Sequence, residues 1–363
     1  MKILFYIESL QSGGKERRLV ELIKGLSKYP DYEIELVVTQ NDIHYKDILP
    51  SVNKIHFTLR KRGEKDFSVF YKFYKIAKKF KPNIIHVWGR VVAIYAIPAK
   101  VILRIPMINN EITDAPSRIT RGLMSRKLSF FFSDLLIANS FAGIKTYKPP
   151  KRKSFVIYNG FDFSRINDLQ DKDVVKKRNK ISTKYVIGMV ASFSDSKDYT
   201  TYILAANSIL NKRSDITFLC IGSGEYSKYE AMLEIKNRDN VVFLDRQKDV
   251  ENIMNICDIG ILTTNIKIHG EGISNALLEF SALGKPIVAS AGGGTSEIIE
   301  EGQNGYLLVP FNVDDLCKKI EFLLDNNDVR IIMGKKANTI VKGKFGIERM
   351  VKEFIISYSQ VYK

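Results

Sequence analysis

HGEGISNALLEFSALGKPIVASAGGGTSEII, residues 269–299, decides how the chain is read. Glu271 and Glu279 stand at its two key positions. Gly272, having no Cβ, lets backbone or ligand come close. Ser274 and Asn275 are good N-cap residues, and ALLEFSAL reads as a helix ended by Gly284. KPIVAS then reads as a buried strand. Glu271 is therefore expected in the loop before the helix, and Glu279 one turn inside it. First-turn N–H groups and the positive end of the helix dipole meet in that loop, a place that suits phosphate. A carboxylate beside phosphate is expected to accept hydrogen bonds from hydroxyls. Phosphate together with hydroxyls points to a nucleotide sugar.

Two glutamates at this spacing also arise by chance, so the whole string has to carry the argument. It resembles the donor-site region of retaining glycosyltransferase family four, where Glu-x7-Glu precedes a helix, a G-x-P strand and a GG-x-x-E turn. Here these are Glu271, Glu279, Gly284, Pro286, Gly293, Gly294 and Glu297, and EEGQNGYLLVP at 300–310 continues the likeness. The resemblance implies the GT-B fold: two doubly wound, Rossmann-like parallel-sheet α/β domains facing a central cleft. Residues 1–163 would bind the acceptor, with a C-terminal helix at 345–363 packing back on them. Residues 164–344 would bind the nucleotide-sugar donor.

The rest of the chain reads the same way. With 363 residues and 45% hydrophobic content it can bury two cores. KILFYI (2–7) is a first buried strand, followed by a loop with Gly13 and Gly14 and an amphipathic helix from about Glu16 to Lys28. That is the phosphate-facing turn of a doubly wound fold. Further strands are expected at 33–39, 53–57, 82–88, 106–110 and 133–140. A second series is expected at 184–191, 215–222, 240–244, 258–264, 286–290 and 306–310. The charged stretch 168–183 reads as a linker with a helical turn, and 328–363 as helices. SFVIYNGFDFSRI (154–166) resembles the stretch that closes the first domain in the family.

The net charge is +16, and it is uneven. Residues 1–160 hold 29 Lys and Arg against 13 Asp and Glu, whereas 161–363 hold 27 of each. A basic half suits nucleic acid, an anionic membrane or a pyrophosphate-bearing acceptor. Cys220, Cys257 and Cys317 are far apart and read as reduced core residues. The four histidines lack metal-ligand spacing, and the Asp171–Asp173 pair lies in the charged linker. No apolar run is long enough to cross a bilayer. In 67–81, Val69, Phe73, Ile76 and Phe80 form one helical stripe and Lys72, Lys75 and Lys79 another. Such a helix either sits in water or lies on an anionic membrane. Arg118, Arg121, Arg126 and Lys127, with Phe130 to Phe132, make a second basic-aromatic patch.

The resemblance assigns roles to particular residues. Glu279 would accept from the ribose, and Glu271 with the backbone of Gly272, Ile273, Ser274 and Asn275 would hold sugar and diphosphate. Lys197 falls on the family's lysine and would neutralise the leaving diphosphate. Ser192 falls where the family has arginine, so one cationic contact is missing. Gly222, Glu225 and Arg246 are further donor-site candidates, as are Gly13 and Gly14. Glu111, where the family often has histidine nearby, is a candidate for contacting the transferred sugar or acceptor. His86 reads equally as a core histidine.

The expectation is a retaining, metal-independent hexosyl- or N-acetylhexosaminyl-type transferase without cofactor. It would move a sugar from a UDP-sugar to a polyprenyl-pyrophosphate-linked glycan in surface polysaccharide synthesis. It would be bacterial and cytoplasmic, peripheral on the inner membrane's cytoplasmic face, with no nucleic acid partner. One rival is an epimerase or inverting transferase, against which the Glu271/Glu279 pair argues. The other is a basic membrane- or nucleic-acid-binding protein on a degenerate GT-B fold.

Overall fold

The computed structural model describes residues 1–11, 13–41, 43–59, 66–119 and 122–362. They form two compact units, one of residues 1–160 with 347–363 and one of residues 161–346.

The first unit holds strands β1 (Lys2–Ile7), β2 (Glu33–Val38), β3 (Lys54–Phe57), β4 (Ile84–Trp88), β5 (Met107–Ile112), β6 (Leu135–Ala138) and β7 (Ser154–Val156). They lie parallel in the order β3-β2-β1-β4-β5-β6-β7. Between them run α1 (Gly14–Leu26), α2 (Ser68–Phe80), α3 (Arg90–Leu103), α4 (Leu123–Phe132) and α5 (Phe141–Tyr147). Side chains of β1 alternate between two cores, as a pleated strand demands. Ile3, Phe5 and Ile7 enter the core shared with Leu19 and Ile23 of α1. Leu4 and Tyr6 enter the core shared with Phe73 of α2 and Ala96 of α3. The edge strand β7 was not expected as a separate strand; at three residues it is too short to show a period.

The first α-helix of the second unit is α6 (Lys172–Arg178), inside the charged stretch expected as a linker with a helical turn. Asp171 caps that helix through the N–H groups of Asp173 and Val174, so this carboxylate does structural work. Then come β8 (Tyr185–Val190), α7 (Tyr199–Leu210), β9 (Ile216–Ile221), α8 (Ser227–Glu230), β10 (Val241–Leu244), α9 (Val250–Asn255) and β11 (Ile259–Leu262). α10 (Asn275–Ala282), β12 (Ile287–Ser290), α11 (Thr295–Ile298), β13 (Gly305–Leu308), α12 (Val313–Asp325) and α13 (Asn327–Lys344) complete it. The sheet is parallel throughout, in the order β10-β9-β8-β11-β12-β13. A parallel strand with helices on both faces is buried on both, which is why all six residues of ITFLCI in β9 are buried and all but Thr217 are apolar.

Both sheets have the doubly wound order, reversing direction between β1 and β4 and between β8 and β11. Ligands of such sheets lie at the carboxyl ends of the strands beside that reversal.

The last helix, α14 (Ile347–Val361), belongs to the first unit. Its Met350, Val351, Phe354 and Tyr358 enter the α1-side core. Each fully buried side chain of this size contributes about 1.5–3 kcal/mol. Beneath them His86 is a core residue: its Nδ1 lies 3.0 Å from the Tyr358 hydroxyl, and burial, then the Arg18 charge, push its pKa far down. All three cysteines are buried and free.

Candidate donor site

The quoted stretch folds as its sequence dictates, with one difference. α10 starts after Ser274, in extended conformation at the N-cap position, but the Ser274 side chain makes no capping hydrogen bond. The helix ends where Gly284 turns left-handed at φ 69°. Glu271 lies three residues before that N-cap, at the reversal between β8 and β11.

Glu271 is 8% exposed, and three groups surround its carboxylate. Lys197 Nζ donates to Oε1 and so does the Thr264 hydroxyl, at 2.9 Å. His269 Nε2 lies 3.8 Å from Oε2. The loop after β8 brings Lys197 there by bridging to Thr264 across the sheet reversal. The Asp198 and Asn265 N–H groups fix that bridge by donating to Thr263 and Ser196 carbonyls. From the other side, Gly294 N–H donates to the Glu271 carbonyl at 2.7 Å. Gly293 beside it has φ 57°, and a Cβ there would fall 2.2 Å from that carbonyl oxygen. The double glycine is thus the backing of the Glu271 loop.

Burial alone would raise the Glu271 pKa; the Lys197 charge overrides it, with His269 adding, and the carboxyl is held well below the usual range. A depressed carboxylate stabilises the fold above its unfolded value, about 4.3, and loses that contribution as pH falls towards the folded value. The stability gap between the wild type and Glu271→Gln should therefore be wide at pH 7 and narrow clearly by pH 3. Chemical denaturation at the two pH values measures it; an unchanged gap would contradict the pairing.

Glu279, 7% exposed, is held by a residue that sequence reasoning missed. Arg165 Nη2 donates to Glu279 Oε1 at 2.8 Å, while Arg165 Nε donates to Glu251 at 2.8 Å. The guanidinium lies over the Phe161 ring at 4.9 Å. Both residues sit in the FDFSRI stretch, whose family likeness was the only available signal.

The other donor candidates of the second unit have local settings of their own. Ser192 is exposed and joins Ser194 and Ser196 in a hydroxyl chain at 3.0 and 2.8 Å. Gly222 follows β9, where a Cβ would meet the Ala191 carbonyl oxygen at 1.8 Å. Glu225 accepts from the Ser227 N–H at 3.1 Å, which lowers its pKa and makes it a local cap. Arg246 is exposed beyond β10.

In the first unit Gly13 is the N-cap position of α1 and Gly14 its first residue. Lys15 beside them pairs with Glu8 at 2.7 Å, so the loop is mixed in charge rather than a bare phosphate cradle. Glu111, the candidate for contacting the transferred sugar or acceptor, is bonded within the unit's own packing. Its side chain is 1% exposed and held by Arg126 at 2.9 Å, Ser129 at 2.7 Å and Asn109 at 3.1 Å. These bonds fasten α4 to β5. The second basic-aromatic patch shrinks accordingly: Arg126 is engaged with Glu111, Phe130 is buried, and Arg121 lies outside the described residues. Arg118, Lys127 and Phe131 remain at the surface. Among the described residues no cluster of three or more His, Cys, Asp or Glu could hold a metal ion. No helix among them is long and apolar enough to cross a membrane.

Comparison with known proteins follows this division. Residues 12–165 match the family model Glycosyltransferase Family 4, and residues 171–339 match Glycosyl transferases group 1. An uncharacterized glycosyltransferase of Haemophilus influenzae is 24% identical over 97% of this chain and 98% of its own length. The Campylobacter jejuni N,N'-diacetylbacillosaminyl-diphospho-undecaprenol alpha-1,3-N-acetylgalactosaminyltransferase is 27% identical over 46% of this chain and 43% of its own length. Two other curated relatives are covered over only 50% and 59% of their lengths. The crystal structure of Anabaena HepE in complex with UDP-glucose superposes with a TM-score of 0.86 at 21% identity, over 99% of this chain and 100% of that one.

Proposed function

We propose that this chain, a GT-B glycosyltransferase of the family-four type, transfers a hexosyl or N-acetylhexosaminyl group from a UDP-sugar with retention. The observation that carries this is the buried Glu271–Lys197 pair at the β8/β11 reversal, one loop ahead of α10. A lysine ammonium has three donors, so Lys197 can keep Glu271 and still donate to a diphosphate. Developing charge on the leaving diphosphate would then meet a preorganised cation and the α10 N-terminus. Glu271, oriented by Thr264 and backed by Gly293 and Gly294, would accept from sugar hydroxyls. Arg165 takes Oε1 of Glu279, which leaves Oε2 for the ribose. The diphosphate itself would deprotonate the acceptor on the same face, giving retention without a metal. Support for UDP comes from the HepE complex, which holds UDP-glucose in a chain of the same fold.

Thermal-shift screening with UDP-, GDP- and ADP-sugars tests the donor, since a ligand that binds only the native state raises its apparent stability. UDP-sugars should give the largest shift, and EDTA should leave it and turnover intact. A shift confined to GDP- or ADP-sugars, or turnover that needs manganese or magnesium, would overturn this part of the reading.

For the acceptor, we propose a polyprenyl-diphosphate-linked glycan met at the cytoplasmic membrane face. The Campylobacter relative is named for a diphospho-undecaprenol substrate. In this chain α2 buries Val69, Phe73, Ala77 and Phe80, while Lys72, Lys75 and Lys79 are exposed. Phe67 and Tyr71 are 73% and 59% exposed beside them. Each lysine near an anionic surface contributes about 1 kcal/mol, an attraction that salt screens. Co-sedimentation with phosphatidylglycerol vesicles should exceed that with phosphatidylcholine, fall with added salt, and drop at least tenfold on changing Lys72, Lys75 and Lys79 to Glu. Equal, weak binding in every case would leave a transferase whose basic face is only solvated.

A further inference from the structure

The first unit has a groove among α2, α3 and α4 that no part of the donor chemistry uses. Its volume is about 330 Å³. Ligand pockets run from roughly 300 Å³ upward, so it takes a small group or a short piece of a long one. Phe67, Phe70, Val91, Ile94 and Tyr95 make its walls. The aromatic side is ordered: Phe70 meets Tyr95 edge-on at 4.8 Å, and Phe67 stacks on Phe70 at 6.4 Å. The groove's carboxylate, Asp66, is turned to α2, where it accepts from the Ser68 N–H and hydroxyl at 3.0 and 2.7 Å.

Among the described residues, one cation lines the groove. Arg90 is the first residue of α3, directly after the carboxyl end of β4, the end at which this sheet type meets its ligands. Ser125 of α4 accepts from Arg90 Nη1 at 2.7 Å. The chain makes room for that guanidinium: Gly122 has φ 73°, and a Cβ there would lie 1.6 Å from Nη1. Leu123 and Met124, on the same turn of α4 as Ser125, are 53% and 84% exposed. An apolar trough with a fixed guanidinium at the ligand end of the sheet complements an anionic head on a hydrocarbon chain. Neither a sugar nor a soluble anion would need the trough, and an apolar peptide would not need the cation.

We infer that this groove holds the first isoprene units of the acceptor's polyprenyl chain, with Arg90 on the adjoining diphosphate. This rests on the lipid-linked reading of the acceptor and specifies where the lipid goes.

The test uses the full chain with farnesyl diphosphate, isopentenyl diphosphate and inorganic pyrophosphate as probes, by isothermal titration. Farnesyl diphosphate should bind at least tenfold more tightly than the other two. Ile94→Trp, which fills the trough from a partly exposed position, should weaken it at least tenfold, and Arg90→Gln by a similar factor. Far-UV melting curves report whether each variant is folded; if Ile94→Trp is not, Val91→Phe replaces it. Equal affinity for all three probes, or farnesyl diphosphate binding untouched by the filling variant, would overturn the inference. So would loss of phosphatidylglycerol vesicle binding alone, which would assign the groove to the bilayer. Transfer to a synthetic polyprenyl-diphosphate glycan separates the two levels. If wild type transfers and the folded filling variant does so with unchanged KM, the groove is wrong while the acceptor class stands. If wild type transfers only to lipid-free glycans, the acceptor class itself is wrong, and the inference falls with it.

Discussion

Lys197→Ala should lower kcat by about 10²–10³-fold with donor saturating, the usual cost of removing one preorganised stabiliser of transition-state charge. It should also destabilise the fold. Lys197 and Glu271 have side-chain exposures of 14% and 10%, and among the described residues the one other basic side chain paired with Glu271 is His269, 3.8 Å away. Removing one partner of a buried ion pair costs about 3–5 kcal/mol, because the other charge stays buried without it. The two effects can be separated. Lys197→Met with Glu271→Gln removes both charges and should recover most of the lost stability, yet stay as inactive as the single variant. Denaturant melts measure the first quantity and steady-state kinetics the second. If the single variant keeps kcat within twofold of wild type, Lys197 is a structural partner of Glu271 and nothing more.

This pair shows what could be read from the sequence and what could not. The glutamates were legible because they share a local frame: one loop, one helix start and one strand lie within 31 residues. Parallel strands were legible because burial on both faces writes them as mostly apolar runs, as in KILFYI, apolar after Lys2, and ITFLCI, apolar but for Thr217. What holds the glutamates was not legible. Lys197 reaches Glu271 across 74 residues, and Arg165 reaches Glu279 across 114. The first connection had a family motif to mark it; Arg165 had only its place in FDFSRI. Glu111 shows the opposite difficulty. Its position at a strand end fitted a substrate contact, but the partners that bury it, Arg126 and Ser129, lie on a helix whose sequence read as a basic-aromatic surface patch rather than as a partner of β5. A strand end tells where a side chain starts, and only the packing of its neighbours tells whether it remains available.

Glu279→Ala should weaken UDP binding about ten- to a hundredfold, because a hydrogen bond to a charged acceptor contributes about 1.5–3 kcal/mol. The fold should survive. Arg165 keeps its Nε bond to Glu251 at 2.8 Å and its place over Phe161, so removing Glu279 strands no buried cation. Arg165→Met supplies the complementary case. Glu279 would keep its charge and lose the group that aims it, so UDP affinity should fall by a smaller factor than in Glu279→Ala. Combining the two should cost little more than Glu279→Ala alone, since in the proposed site Arg165 would act on the nucleotide only through that carboxylate; residues in one network couple in this way. Titration calorimetry with UDP on the four proteins closes the cycle. Additive losses would mean that Arg165 touches the nucleotide itself. Unchanged UDP affinity in Glu279→Ala would remove Glu279 from the ribose and leave it as one half of an internal ion pair.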